Sequence, residues 1–252
     1  MLLAIDIGNS STKFGIFNGE HLYLKFSIPT KRGLTVDDIS QAIGSRLDSL
    51  ISSIIISSVV SEFESPLLQF LKIKTGTNPV FVNNSFDFGL KINYQPVSGA
   101  GTDRLIAALA AVEKYGAPLI VCDFGTATTI DAINSKHEYL GGIIAPGMGT
   151  MAEALNLKTS KLPLVEIAKP AKVIGNSTLG CIQSGIFFGY IGLVDGILIR
   201  MERELNEPAK IVATGGFAKL ISENCELIEI VDESLMLEGL CLLHTFRMQN
   251  VK

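Results

Sequence analysis

Short apolar blocks alternate with turns along the whole chain, and the spacing within each block separates strands from helices. Leu2-Leu3-Ala4-Ile5 is a continuous apolar run, Asp6 to Ser11 reads as a turn, and Lys13 to Phe17 resumes a strand. Asn18-Gly19 is a strong hairpin signal, followed by a strand over Leu22–Ser27. From Val36 to Leu50 the apolar positions change to helical spacing, with Ile39, Ile43, Leu47 and Leu50 on one stripe. Ser53–Val60 is β-branched and predicts a buried strand, Pro66 opens a short helix, and Pro79–Val82 is another strand. Asp103–Tyr115 predicts a helix stopped by Gly116.

A fresh strand over Pro118–Cys122 begins the second half, and Asp123-Phe124-Gly125-Thr126-Ala127-Thr128-Thr129 follows it. Apolar Ile130–Ile133 and a strand near Tyr139–Ile144 come next. Helices are predicted over 148–155, 177–204, 217–222 and 233–246, and Ile211-Val212-Ala213 is a short strand that ends in Thr214-Gly215-Gly216. Such alternation predicts the α/β class. A shift of 117 residues sets Asp6-Ile7-Gly8 on Asp123-Phe124-Gly125 and Asn9 to Thr12 on Thr126 to Thr129. Asp-x-Gly alone is a common turn. Here each copy follows an apolar strand and precedes another, which predicts two related halves, 1–116 and 117–252, with a cleft between them.

Composition sharpens this picture. Of 252 residues, 47% are apolar and 18% charged, against about 25% charged in an ordinary globular domain. That excludes a disordered chain and predicts either apolar surface covered by a second subunit or large buried sheets. The net charge of −4, with no basic run longer than Lys31-Arg32, lacks the footprint of a nucleic-acid-binding protein. No leader pattern opens the chain, because Asp6 cuts the first apolar run. Leu179–Ile199 contains Gln183, Asp195 and five glycines, so a buried or interfacial helix is expected there, with no membrane partner. Cys122, Cys181, Cys225 and Cys241 are far apart, which disfavours a structural zinc site and predicts free buried thiols in a reducing cytoplasm.

The glycine-rich turns carry the chemistry. Glycine lets backbone approach a ligand, successive N–H groups make an anion-binding concavity, and an aspartate at the strand end can hold a metal ion directly or through water. Two such turns suit the phosphates of a nucleotide, and Lys13 either adds a point charge or is a solvated strand lysine. Gly215-Gly216 permits a flat ligand such as adenosine to come close, or is a plain tight turn. No P-loop is present. In Gly101-Thr102-Asp103-Arg104 the aspartate either caps the helix or accepts a proton from a substrate hydroxyl, while Arg104 can bind a carboxylate or amide oxygen. In Gly175-Asn176-Ser177-Thr178, Thr178 can offer a hydroxyl to a substrate, and Asn176 or Ser177 equally serves as the cap of a glycine-containing helix suited to a dimer interface.

These motifs, in this order, resemble the type III pantothenate kinases, within the superfamily of acetate and sugar kinases, heat-shock chaperones and actin. The resemblance spans essentially the whole chain: Asp6 to Lys13, Gly101 to Arg104, Asp123 to Thr129, Gly141 to Gly147, and Gly175 to Thr178. It implies two ribonuclease H-like, actin-like halves and a cytoplasmic homodimeric enzyme that phosphorylates pantothenate with ATP, the first step of coenzyme A biosynthesis. By the same resemblance Asp103 is the general base, and Tyr94, Gly101, Thr102, Asp103, Arg104 and Thr178 line the pantothenate site. Asp6, Ile7, Gly8, Asn9, Ser10, Ser11, Thr12 and Lys13 hold ATP, with Asp6 near Mg²⁺. Thr126, Gly215 and Gly216 also contact ATP, and Asp123 binds K⁺ or NH₄⁺. Thr102 replaces a frequent Ala and Ser10 a frequent Thr, and neither change removes a functional group. Two other readings compete. Bvg accessory factors resemble this family and are tied to transcription, yet the chain lacks basic patches. A small actin-like binding protein would leave Asp103-Arg104 without a task.

Overall fold

The computed structural model describes residues 1–47 and 50–250. Two sheets dominate it, each around its own apolar cluster. In the first, β1 (Leu2–Ile7), β2 (Ser11–Asn18) and β3 (His21–Pro29) form an antiparallel meander, and β4 (Ser53–Ser58) and β5 (Val80–Phe81) extend it in parallel from β1. The strand order is β3-β2-β1-β4-β5. Between these strands lie α1 (Val36–Ile43), capped by reciprocal Thr35–Asp38 bonds, and α2 (Ser61–Thr75).

After β6 (Lys91–Ile92), helix α3 (Thr102–Tyr115) leads into the second sheet. There β7 (Leu119–Phe124), β8 (Ala127–Ile133) and β9 (Glu138–Pro146) repeat the meander, and β10 (Lys210–Thr214) and β11 (Ile230–Val231) add in parallel. With β6 on its edge, the order is β11-β10-β7-β8-β9-β6. Apart from β6, both sheets run third, second, first, fourth, fifth strand. The duplication extends to single residues. In β1 and β7 alike, four buried apolar residues precede a half-buried aspartate and one more buried apolar residue. The central strand is apolar on both sides because helices cover both faces; only its end admits a carboxylate.

The remaining helices are α4 (Met148–Lys158), α5 (Thr178–Leu205), α6 (Ala218–Ser222) and α7 (Leu235–Asn250). Ile182, Ile186, Tyr190, Val194 and Leu198 of α5 enter the second core, while Gly185, Gly189 and Gly192 lie exposed on another side of the helix. By length and composition α5 is apolar enough to cross a membrane, despite Gln183 and Asp195, yet 44% of its most apolar window is buried within the protein. A helix with such a core stripe is accounted for by packing.

The chain divides into two compact units at points the hydrophobic pattern does not mark. The first contains Met1–Leu90, Tyr94–Ala110 and the segment from Ser234; the second contains Lys91–Asn93 and Ala111–Glu233. A cut at 116/117 therefore misplaces α7 and β6. Helix α7 belongs with the first sheet because Leu235, Leu237 and Leu240 are fully buried, and Gly239 lets it pass α3 where a Cβ would lie 2.6 Å from the Ile106 carbonyl oxygen. β6 pairs with β9 through Lys91–Glu138 and Ile92–Tyr139. Two helix boundaries also move. The helix expected over 36–50 ends at Ile43, with Leu47 buried beyond it and Leu50 61% exposed; its positions 48 and 49 lie outside the described residues. Helix α2 starts at Ser61, with Pro66 inside it. The missing Pro66 N–H would have paired with the carbonyl of Glu62, which lies on an exposed stretch open to solvent.

Candidate active site

The first phosphate turn follows from strand register. Asp6 of β1 faces Lys13 of β2, and their side chains approach to 4.0 Å with exposures of 15% and 29%. The turn closes through the Gly8 N–H, which donates to the Ser11 carbonyl at 3.1 Å, and the Thr30 N–H, which donates to the Ser10 carbonyl at 3.0 Å. Asn9 and Ser10 are exposed, Ser11 half-buried. Ile7 and Thr12 depart from the expected picture. The Ile7 side chain lies in the first core, and the buried Thr12 hydroxyl pairs with that of Thr30 at 2.8 Å. Both can offer a ligand only their main chain.

The Gly-x-Asp-Arg segment is built around its aspartate. Asp103 sits in the first turn of α3, where the helix dipole favours an anion, and its Oδ1 accepts the Arg104 N–H at 2.9 Å. A Cβ on Gly101 would stand 2.5 Å from that same oxygen, so glycine is what leaves the carboxylate room. Arg104 is only 7% exposed, with its guanidinium 5.7 Å from the Tyr94 ring centre. A cation held over a ring face at this distance is attracted by the ring's quadrupole. Asn84 holds the preceding loop by donating to the carbonyls of Ser98 at 3.2 Å and Ala100 at 2.9 Å. Nothing in the hydrophobic pattern singles out this asparagine. Thr102 is half-buried beside Asp103.

In the second unit, three glycine segments distant in sequence meet around Asp123. Gly215 has φ +95°, and a Cβ there would lie 2.5 Å from Asp123 Oδ1 and 2.7 Å from the Phe124 main chain. The Phe217 N–H reaches the Phe124 carbonyl at 3.2 Å, while Gly216 has open space around it. On the other side, the Gly147 N–H and the Thr150 hydroxyl both donate to the Thr126 carbonyl, at 3.0 and 2.6 Å. Thr126 is exposed and Asp123 half-buried. Thr128 is buried, its hydroxyl bonded to that of Tyr190, whose own titration burial pushes up to about 12. Thr178 is exposed at the start of α5, and Ser177 is the cap, accepting the Gly180 N–H at 3.1 Å.

Two hollows on the first unit, of about 570 and 600 Å³, are lined by residues such as Leu68 and Phe81 or Met1 and Tyr23, and by none of these side chains. The described residues contain no group of three or more His, Cys, Asp or Glu that could cage a metal. A lone carboxylate such as Asp6 fits Mg²⁺ bound mainly through nucleotide phosphates and water, the usual arrangement for that ion.

Comparison with known proteins identifies the family. The family model for type III pantothenate kinase matches residues 2–200. The type III pantothenate kinase of Halalkalibacterium halodurans is 42% identical over 250 residues, which cover 97% of this chain and 98% of that protein. Among solved structures, a Campylobacter jejuni protein assigned to the Baf family of transcriptional activators superposes with a TM-score of 0.62 at 22% identity, covering 98% of this chain and 99% of that one. A ROK family glucokinase from Streptomyces griseus gives 0.51 at 12% identity, covering 96% and 98%. At those identities the structures establish the shared actin-like α/β fold and nothing of the reaction. The sequence relationship settles the activity: the chain belongs to the type III pantothenate kinases, enzymes that phosphorylate pantothenate with ATP for coenzyme A biosynthesis.

Proposed function

We propose that Asp103 is the general base of this reaction and that Tyr94, Gly101, Thr102, Arg104 and Thr178 bind pantothenate. The observation that carries this reading is the arrangement at the start of α3: a carboxylate given room by Gly101, beside a buried arginine held over the Tyr94 ring. Asp103 accepts the proton of the substrate's primary hydroxyl as its oxygen bonds to the γ-phosphorus and the bond to the ADP oxygen breaks. Arg104 pairs with the substrate carboxylate or amide oxygen. Phosphoryl transfer needs little more than such positioning and charge stabilisation.

The turn from Asp6 to Lys13 is assigned to the ATP phosphates, with main-chain N–H groups and Lys13 as donors and Asp6 toward Mg²⁺. When bound, Mg²⁺ neutralises charge developing on the phosphate oxygens. Thr126, Gly215 and Gly216 are assigned to ATP, and Asp123 to a monovalent cation, K⁺ or NH₄⁺. We further assign a homodimer through α5. Its exposed Gly185, Gly189 and Gly192 permit close helix approach, and Ile174 and Leu179 near its start are 88% and 49% exposed. A cytoplasmic location, without nucleic-acid or membrane partners, accords with the charge balance and the core stripe of α5.

The test is ADP release by the purified protein with ATP, Mg²⁺, K⁺ and pantothenate. Asp103→Asn is expected to fold and to lose between about a hundredfold and ten-thousandfold in turnover; near-normal turnover removes Asp103 as base. Replacing K⁺ by Na⁺ is expected to slow the wild type, and equal rates would remove the cation role of Asp123.

A further inference from the structure

Among the described residues, one buried side-chain polar atom lacks a hydrogen-bond partner: Oγ of Ser57 in β4. The residue is 1% exposed. A buried hydroxyl without a partner is costly, and such a group calls for something that completes it. Its position supplies the candidate. Ser57 is the parallel-strand neighbour of Asp6, and Asp6 is the antiparallel neighbour of Lys13. Neighbouring strands lie about 5 Å apart and register partners share a face. The adjacent row, Phe14, Ile5 and Ile56, points into the first core, so Lys13, Asp6 and Ser57 form the next row on the opposite face. Ammonium, carboxylate and hydroxyl thus stand in line across three strands at the end that carries the phosphate turn.

We propose that Ser57 is a further positioning residue for phosphoryl transfer: its hydroxyl accepts a hydrogen bond from a water of the Mg²⁺–ATP complex held at Asp6. The proposal rests on the assignment of Asp6 given above. Mg²⁺ retains several waters when it binds through few carboxylates, and each water needs an acceptor once the site is filled. Serine is small enough to sit inside the sheet and still provide one. The hydroxyl would then orient the hydrated ion against Asp6 without contacting the reacting atoms.

Calorimetric titration of ATP into wild type, Ser57→Ala and Asp6→Asn, with and without Mg²⁺ and in the absence of pantothenate, tests this apart from catalysis. Ser57→Ala is expected to melt at or above the wild-type temperature, because it removes an unpaired group. It should bind ATP roughly tenfold more weakly with Mg²⁺ and equally without it. Should Ser57→Ala fail to fold, Ser57→Cys, nearly the same size, replaces it with the same expectation. Wild-type Mg²⁺–ATP affinity in the serine variant, with affinity lost in Asp6→Asn, overturns the role of Ser57 and leaves Asp6 standing. The same weakening with and without Mg²⁺ overturns the link to the hydrated ion. Wild-type affinity in Asp6→Asn overturns both assignments.

Discussion

Gly101→Ala tests whether the room left for Asp103 matters to the reaction. The new Cβ would lie 2.5 Å from Asp103 Oδ1, about 0.9 Å inside ordinary contact at 3.4 Å. Gly101 does not occupy the left-handed region, so alanine is compatible with the backbone there. The atom that must yield is the end of a short side chain, and it yields by rotating away from the Arg104 N–H, which it now holds at 2.9 Å. The stability cost is therefore about one hydrogen bond, ~1 kcal/mol, or roughly 2–4 °C for a chain of this size. If Asp103 is the base proposed above, the catalytic cost is larger, because displacing a reacting group by about 1 Å loses roughly a hundredfold in rate. Steady-state ADP release should show kcat down by about that factor, with a melting temperature close to wild type. A kcat within about threefold of wild type would refute the reasoning, since the carboxylate would then tolerate displacement. So would a collapsed melting transition, because Gly101 would then be a structural glycine.

Gly215→Ala should behave oppositely. Its Cβ meets Phe124 main-chain atoms at 2.7 Å from a backbone at φ +95°, which nothing nearby can relieve. A left-handed alanine costs about 1–2 kcal/mol and overpacking about 1–3 more, so differential scanning fluorimetry should show a fall of roughly 5–15 °C; an unchanged melt refutes the clash. Cys122, Cys225 and Cys241 are buried, and desolvation pushes the last two thiols to about 12 and about 11 and the first well up, so a thiol reagent near neutral pH should label them only after denaturation. Cys181 is exposed, contrary to the expectation that all four thiols are buried. Burial, then Arg247, depresses the His244 titration below 6.5. The unfolded chain then binds the proton more readily, so this contribution to stability is present above pH 6.5 and lost as the pH falls through the folded value. Chemical denaturation at about pH 7.5 and about pH 5.5 should show His244→Gln losing less stability than wild type on acidification; an equal loss refutes it.

The candidate site was largely legible in the sequence because its parts are local. Asp6, Asp103 and Asp123 each stand in a short glycine segment whose turn chemistry is visible without the fold, and the repeated strand context exposed the duplication that the two sheet orders display. What escaped depends on long-range choice. That α7 covers the first sheet rather than the second is decided by which face remains open, and an apolar helix fits either. β6 and β11 have two residues each, too few to show a period. Asn84 acts through main-chain carbonyls that any loop possesses.

Packing also explains which motif residues change standing. Ile7 and Thr12 belong to the first glycine segment by sequence, yet strand alternation turns their side chains inward, one to the core and one to Thr30. The same alternation brings Ser57, anonymous within a β-branched run, beside Asp6. A motif read along the chain therefore overstates the contribution of its own inward residues and omits the neighbour on the adjacent strand. Both errors have one cause: a ligand meets a row across the strands, whereas a sequence is read along them. The second unit should obey the same rule. There the row through Asp123 runs to Thr129 on β8 and Thr214 on β10, and Thr214, 2% exposed, occupies the place that Ser57 holds beside Asp6.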